Sequence, residues 1–130
     1  MDMKNEITVS KKVSFDAAHY LPGYDGKCAN LHGHHWVVEL GVKGPVNPET
    51  GMVVDFVALK GFLDNIVEEF DHTLLNGRVE NPTAENICLY IRDRALDYYS
   101  GLGHILRLEG CGLSFIRVWE TEDSMAELRS

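Results

Sequence analysis

The residue types best able to do chemistry gather in Cys28 to Val42, C-A-N-L-H-G-H-H-W-V-V-E-L-G-V. In an extended strand, residues two apart share a face. His32 and His34 therefore point the same way as Trp36, Val38, Leu40 and Val42. Two imidazoles end an otherwise apolar face, where burying them unpaired is costly. Two hydrogen-bonded or solvent-facing histidines are one reading. The other is a metal, for which neutral imidazole is the commonest ligand. A third histidine, His19, closes the apolar face of an earlier alternating run, Ile7 to His19. If the two runs pair antiparallel, His19 meets His32 and His34. Three imidazoles from two strands can form a tripod with a fourth position open, the arrangement of a catalytic zinc site.

Other reactive groups surround this stretch. Cys28 stands four residues before His32. It could be a fourth metal ligand, a structural thiol or a proton-transfer group, and a thiol in the last role needs a cationic or metal neighbour. Asp71-His72 pairs a carboxylate with an imidazole, which can tune a general base. A histidine favoured by a helix C-terminus is the plainer reading. Glu120 ends a run W-E-T. Its carboxylate could accept two N–H donors from an amidine-like heterocycle edge, or simply be solvated. His35 faces away from the candidate ligands, and no role falls to His104 or Cys111.

The elements that must position these groups are an antiparallel pair and what packs on it. Tyr20 to Leu31 carries Pro22, Gly23, Gly26 and Asn30 as turn residues between the first two strands. Gly44 to Gly51 is a loop by composition. Leu59, Phe62, Leu63, Ile66, Val67 and Phe70 repeat at helical spacing, with Asp55 as the N-cap. Asn81-Pro82 is expected to open a second helix, with Asn81 as its cap, a buried stripe of Ala84, Ile87, Cys88, Ile91, Ala95 and Tyr98, and Gly101 and Gly103 ending it. Leu113 to Thr121 is a third strand and Ser124 to Arg129 a short fourth. The order ββααββ is α+β: a four-stranded antiparallel sheet with two helices on one face. Such a sheet has edges to cover or pair, so oligomerisation through them is expected.

The chain of 130 residues fits one domain, 1–130. Twelve Lys and Arg against 20 Asp and Glu give a formal net charge of −8, which argues against nucleic acid as a partner. Nothing approaches a membrane span of ~18 apolar residues. Three cysteines with no secretory signal and no CxxC pair read as reduced thiols of a cytoplasmic protein.

Several of these features occur together, and in order, in one known family. F-D-A-A-H ending at His19, C-x-x-x-H-G-H from Cys28 to His34, G-M-V-V-D-F from Gly51 and D-H at Asp71-His72 are the first of them. N-P-T-A-E-N from Asn81 and the final W-E-T complete the set, which spans about Val9 to Leu128. This combination resembles the 6-pyruvoyltetrahydropterin synthase family. The three-residue gap after Cys28 looks most like the bacterial 6-carboxytetrahydropterin synthases of queuosine biosynthesis. Pyruvoyl-forming members more often have a longer gap. The resemblance implies a tunnelling fold (T-fold), in which three subunits close a β-barrel and two trimers stack as a homo-hexamer. It implies zinc held by His19, His32 and His34, with Cys28, Asp71 and His72 as proton-transfer groups. It also implies a pterin substrate, 7,8-dihydroneopterin triphosphate, anchored by Glu120 with Thr83 as a further contact. Lys27, Lys43, Arg78 and Arg117 are available for the triphosphate, and no motif chooses among them.

Overall fold

A computed structural model describes residues 5–130. Its strands are β1 (Glu6–His19), β2 (His32–Pro45), β3 (Gly112–Thr121) and β4 (Ser124–Arg129). Between β2 and β3 come α1 (Phe56–Phe70), α2 (Ala84–Leu96) and α3 (Gly101–Glu109). The strands form one antiparallel sheet in the order β1-β2-β3-β4. Alternation along β1 and β2 buries Phe15, Ala17, Trp36, Val38, Leu40 and Val42 under the helices. Leu113, Ile116 and Val118 continue that face on β3, and α1 and α2 cover it with Leu59, Leu63, Ile66, Ile87 and Ile91. Among the described residues, no helix is long and apolar enough to cross a membrane.

The sheet and its helical layer are as expected, with one addition. The second helix stops at Leu96, and Ser100 caps a third, its Oγ accepting from the Gly103 amide at 3.0 Å. Gly103 is therefore not a helix terminator. A Cβ there would lie against the Asp97 carbonyl oxygen, so the close approach of the α2–α3 connection to the first turn of α3 requires glycine. Tyr98, expected on the buried stripe of α2, falls in the connection and is half exposed. The start of α2 also moves. Thr83, not Asn81, is its N-cap, with Oγ1 accepting from the Asn86 amide at 3.1 Å. Asp55 caps α1 as expected, accepting from the Val57 amide at 2.8 Å.

Among the described residues, no helix lies on the second face of the sheet. A polar ladder crosses it: Ser10 donates to Glu39 at 2.8 Å, and Arg117 donates to Glu39 at 3.1 Å and to Glu127 at 2.6 Å. Arg129 completes the ladder on Glu127 at 2.7 Å. Glu39 is buried, so this pairing satisfies a charge that would otherwise be costly. Beside it the Phe115 ring packs directly over Gly41, where an added Cβ would meet ring carbons at 2.3–2.7 Å. The ring is also held by the Arg117 guanidinium, 4.0 Å from its centroid. Gly41→Ala should cost about 1–3 kcal/mol by overpacking, visible as a lower urea midpoint. An unchanged midpoint would mean that the ring moves aside freely.

Of the two sheet edges, β1 is not wholly open. The segment after α1 runs along its last residues, with the Ala18 amide donating to the Thr73 carbonyl at 3.0 Å. Leu74 bridges Ala18 in parallel. This covers the histidine end of β1 and places Asp71 and His72 beside it.

Candidate metal centre

The register of β1 on β2 builds the site. His19 pairs with His32 and Ala17 with His34, so the imidazole ends of both apolar faces meet at one corner of the sheet. Trp36 forms the floor, its ring edge-on to His19 at 5.0 Å and to His34 at 5.6 Å. The Trp36 indole is itself fixed by donating to the Ala17 carbonyl at 3.2 Å. His19 is fully buried, while His32 and His34 are partly open.

The outward nitrogens decide which atoms face inward. His19 Nδ1 is 2.8 Å from the Pro82 carbonyl oxygen, and His32 Nδ1 is 2.7 Å from the Asn30 carbonyl oxygen. A carbonyl can only accept, so both Nδ1 atoms carry the hydrogen. In the neutral rings both Nε2 atoms are then bare lone pairs, yet they face each other at 3.0 Å. Glu120 adds a third acceptor, with Oε1 3.2 Å from His19 Nε2 and 3.4 Å from His34 Nε2. Burial, opposed by Glu120 and aided by His19 and His32, holds the His34 pKa below its ordinary value. That favours the neutral, metal-binding form.

One ligand atom each from His19, His32, His34 and Glu120 falls within 4.8 Å of the others. Electron-pair donors crowded this closely repel unless a metal cation or a shared proton lies among them. The donor set fits zinc. Bonds of about 2.0–2.1 Å in a tetrahedron place donor atoms ~3.3 Å apart; three of the six separations here are 3.0, 3.2 and 3.4 Å, and all lie within 4.8 Å. Carbonyls that hold the far nitrogens of ligating histidines are the usual outer support of such centres.

The remaining candidates lie outside this group of four. Cys28 sits in a short 3₁₀ turn, Lys27–Ala29, and is partly exposed. Asp71 ends α1 and accepts from the Asp16 amide at 2.9 Å and from His72 Nδ1 at 2.9 Å. The Asp16 amide first, then His72, hold the Asp71 carboxyl below its usual pKa. His72 has φ 57°, a left-handed conformation uncommon for any residue but glycine. Its amide donates to the Asp16 carbonyl at 2.6 Å, which pins it there. The exposed imidazole shares a cleft with His34, Leu31 and Thr73. Thr83, the cap of α2, directly follows Pro82, whose carbonyl accepts from His19. His35, as expected, points to the other face and pairs with Asp16 at 2.8 Å.

Two things were not readable from sequence. Pro82 and Asn30 act through backbone carbonyls, which side-chain identity does not advertise. Lys12 lies over the Trp119 ring at 4.9 Å and lines a cleft that reaches His34 and Glu120. Of the cations considered for a phosphate chain, Arg117 is tied to two glutamates. Lys43 is eleven residues from His32 along β2, roughly 35 Å at about 3.3 Å per residue.

Comparison with known proteins agrees with this geometry. The family model described as 6-pyruvoyl tetrahydropterin synthase matches residues 8–130. A protein of Archaeoglobus fulgidus, provisionally named a 6-carboxy-5,6,7,8-tetrahydropterin synthase, is 42% identical over 127 residues, 98% of this chain and 99% of its own. A dihydroneopterin monophosphate aldolase of Pyrococcus furiosus is 36% identical over 117 residues, 90% of this chain and 92% of its own. The solved structure of Caenorhabditis elegans 6-pyruvoyl tetrahydropterin synthase has a TM-score of 0.78 at 26% identity, over 96% of each chain. By sequence, by fold and by the corner where its histidines meet, this chain belongs to the 6-pyruvoyl tetrahydropterin synthase family.

Proposed function

We propose that the protein is a cytoplasmic, zinc-dependent carbon–carbon lyase. It converts 7,8-dihydroneopterin triphosphate to 6-carboxy-5,6,7,8-tetrahydropterin, with loss of side-chain carbons and triphosphate. One observation carries the reading: bare imidazole nitrogens converge at 3.0 Å in a chain of this family. When bound, zinc polarises the side-chain hydroxyls of the substrate and lowers their pKa. The other roles belong to the chain. Cys28, as thiolate, takes a proton from the side chain. His72 keeps Nδ1 on Asp71, which leaves Nε2 for a second proton transfer. Glu120 accepts from the N–H edge of the ring. The Thr83 oxygen already serves the helix cap, so its hydroxyl hydrogen is the part it offers to a ring acceptor.

Assembly is part of the proposal. The Asp71-His72 segment covers the last residues of the outer edge of β1, next to the stretch where a second copy would pair. In a hexamer of two stacked trimers this pair would serve a neighbour's metal.

The Pyrococcus furiosus relative favours a second reading, the same carbon–carbon chemistry on a monophosphate. Withdrawal of Arg117 and Lys43 from the site suits a smaller anion. Mass spectrometry after incubating the zinc-loaded protein with each phosphate ester distinguishes the cases. The 6-carboxy product from the triphosphate is expected. A product retaining every side-chain carbon would indicate triphosphate elimination instead, as in pyruvoyl-forming enzymes. Cleavage of the monophosphate alone would indicate an aldolase. A zinc-loaded protein that yields no product from either ester would remove the enzymatic reading.

A further inference from the structure

On the zinc and pterin reading, on which this inference rests, the substrate is a polyanion that needs a cation beyond the metal. Arg117 is committed to two glutamates, and Lys43 stands at the far end of β2. The sheet supplies another. β2 pairs with β3 from Val37–Trp119 to Lys43–Gly112. Toward the metal corner the ladder ends at Val37–Trp119, and a cleft of about 510 Å³ opens there. That volume is in the range of small-molecule sites. The cleft joins the two faces of the sheet: Lys12, Val37 and Trp119 line it from the second face, His34 and Glu120 from the metal corner.

Lys12 is an uncommitted cation on this wall. Glu39, its partner across the strands, is taken by Ser10 and Arg117. Among the described residues no carboxylate pairs with Lys12, and its ammonium rests over the Trp119 ring, 4.9 Å from the centroid. An aromatic face attracts an ammonium without neutralising it. The acidic groups of the cleft, Glu120 and Glu122, have the wrong sign for a phosphate. His35 is committed to Asp16. Among the described residues Lys12 is the one Lys or Arg of the lining, so without it this wall repels a phosphate chain.

We propose that Lys12 holds the distal phosphates of the triphosphate and so sets a preference for that ester. Trp119 pairs with Val37, three residues past His34 along β2. The ammonium over its ring therefore stands roughly 10 Å from the level of His34, at about 3.3 Å per residue. The substrate's hydroxyls lie at the metal, and its phosphate ester ends the same short side chain. A single phosphate there stays close to the metal. The further phosphates of the triphosphate extend along the cleft to Lys12. An ammonium is a compact charge with rotatable donors, which suits a flexible chain of phosphates.

Neopterin, its monophosphate and its triphosphate test this, because they differ only in phosphate and their fully oxidised ring is not the proposed substrate. Affinity for each is read by fluorescence quenching on the zinc-loaded, full-length wild type, Lys12→Gln and Lys12→Arg. Lys12 is exposed, so both variants should fold. Lys12→Gln should bind the triphosphate at least ~10-fold more weakly, the lower end for losing a hydrogen bond to a charged group. It should bind neopterin and the monophosphate as the wild type does, and Lys12→Arg should recover the triphosphate. Unchanged triphosphate affinity in Lys12→Gln overturns the proposal and leaves the pterin reading standing. An equal loss for all three ligands would make Lys12 merely structural, and an equal loss for the two esters would place it at the first phosphate. Either overturns the assignment. A wild type that binds none of the three would sink the pterin reading itself, and this proposal with it.

Discussion

Replacing Cys28 by alanine is expected to leave zinc in place and to remove most turnover. The thiol precedes His32 by four residues but stands outside the four atoms that converge on the metal position. Neither of the other two thiols is a candidate for that role. Cys88 is buried against the core, and burial first, with Glu85 second, pushes its pKa up to about 11. Burial and then Glu109 push the Cys111 thiol up as well. Thiols of that kind are inert, because the thiolate is the reactive form. Cys28 lies in an exposed turn, and its carbonyl accepts from the Leu21 amide at 2.8 Å. That bond closes the loop feeding β2 and holds the residue in place. General acid–base groups contribute typically ~10²–10⁴-fold, so the loss should be large. Zinc content and turnover measured on one preparation separate three cases. Loss of both would make Cys28 a ligand, and loss of neither would make it an idle thiol. Loss of turnover alone is the expected result.

Much of the site was legible because it is written in side-chain periodicity. The alternation that puts His19, His32 and His34 at the ends of apolar faces is the same alternation that builds β1 and β2. Pairing across one turn then leaves few ways to arrange them, and the observed register sets His19 opposite His32. Asp55 was readable as a cap because capping needs a short acceptor before a helical run. What escaped was decided by the backbone or by tertiary space. Gly103 reads as a helix breaker until the Asp97 carbonyl is seen against it. The carbonyls of Asn30 and Pro82 orient two imidazoles, and any residue at those positions has a carbonyl. Glu120 offered a choice between a solvated carboxylate and a ring acceptor. Its approach to His19 and His34 depends on where β3 ends, which the sequence leaves open by a residue or two. Asp71 and His72 were readable as a pair, but their place along the β1 edge follows from the pinned conformation of His72.

A second large effect is expected at His34. His19 is the less useful target, because removing a fully buried ring also opens a cavity beside Trp36. His34 is partly open, with 22% of its side chain exposed, so alanine there should leave the fold intact. It should nevertheless remove one of three imidazoles whose nitrogens face a common point. The remaining pair would keep an Nε2–Nε2 separation of 3.0 Å with too few donors to hold zinc as tightly. Metal analysis of the purified wild type and His34→Ala, prepared identically and checked for native secondary structure, therefore tests the central claim most directly. About one zinc per chain in the wild type, with most of it absent from the variant, is the predicted result. A variant that retains full zinc, or a wild type that takes up none when zinc is supplied, would contradict the three-histidine centre on which the proposed chemistry depends.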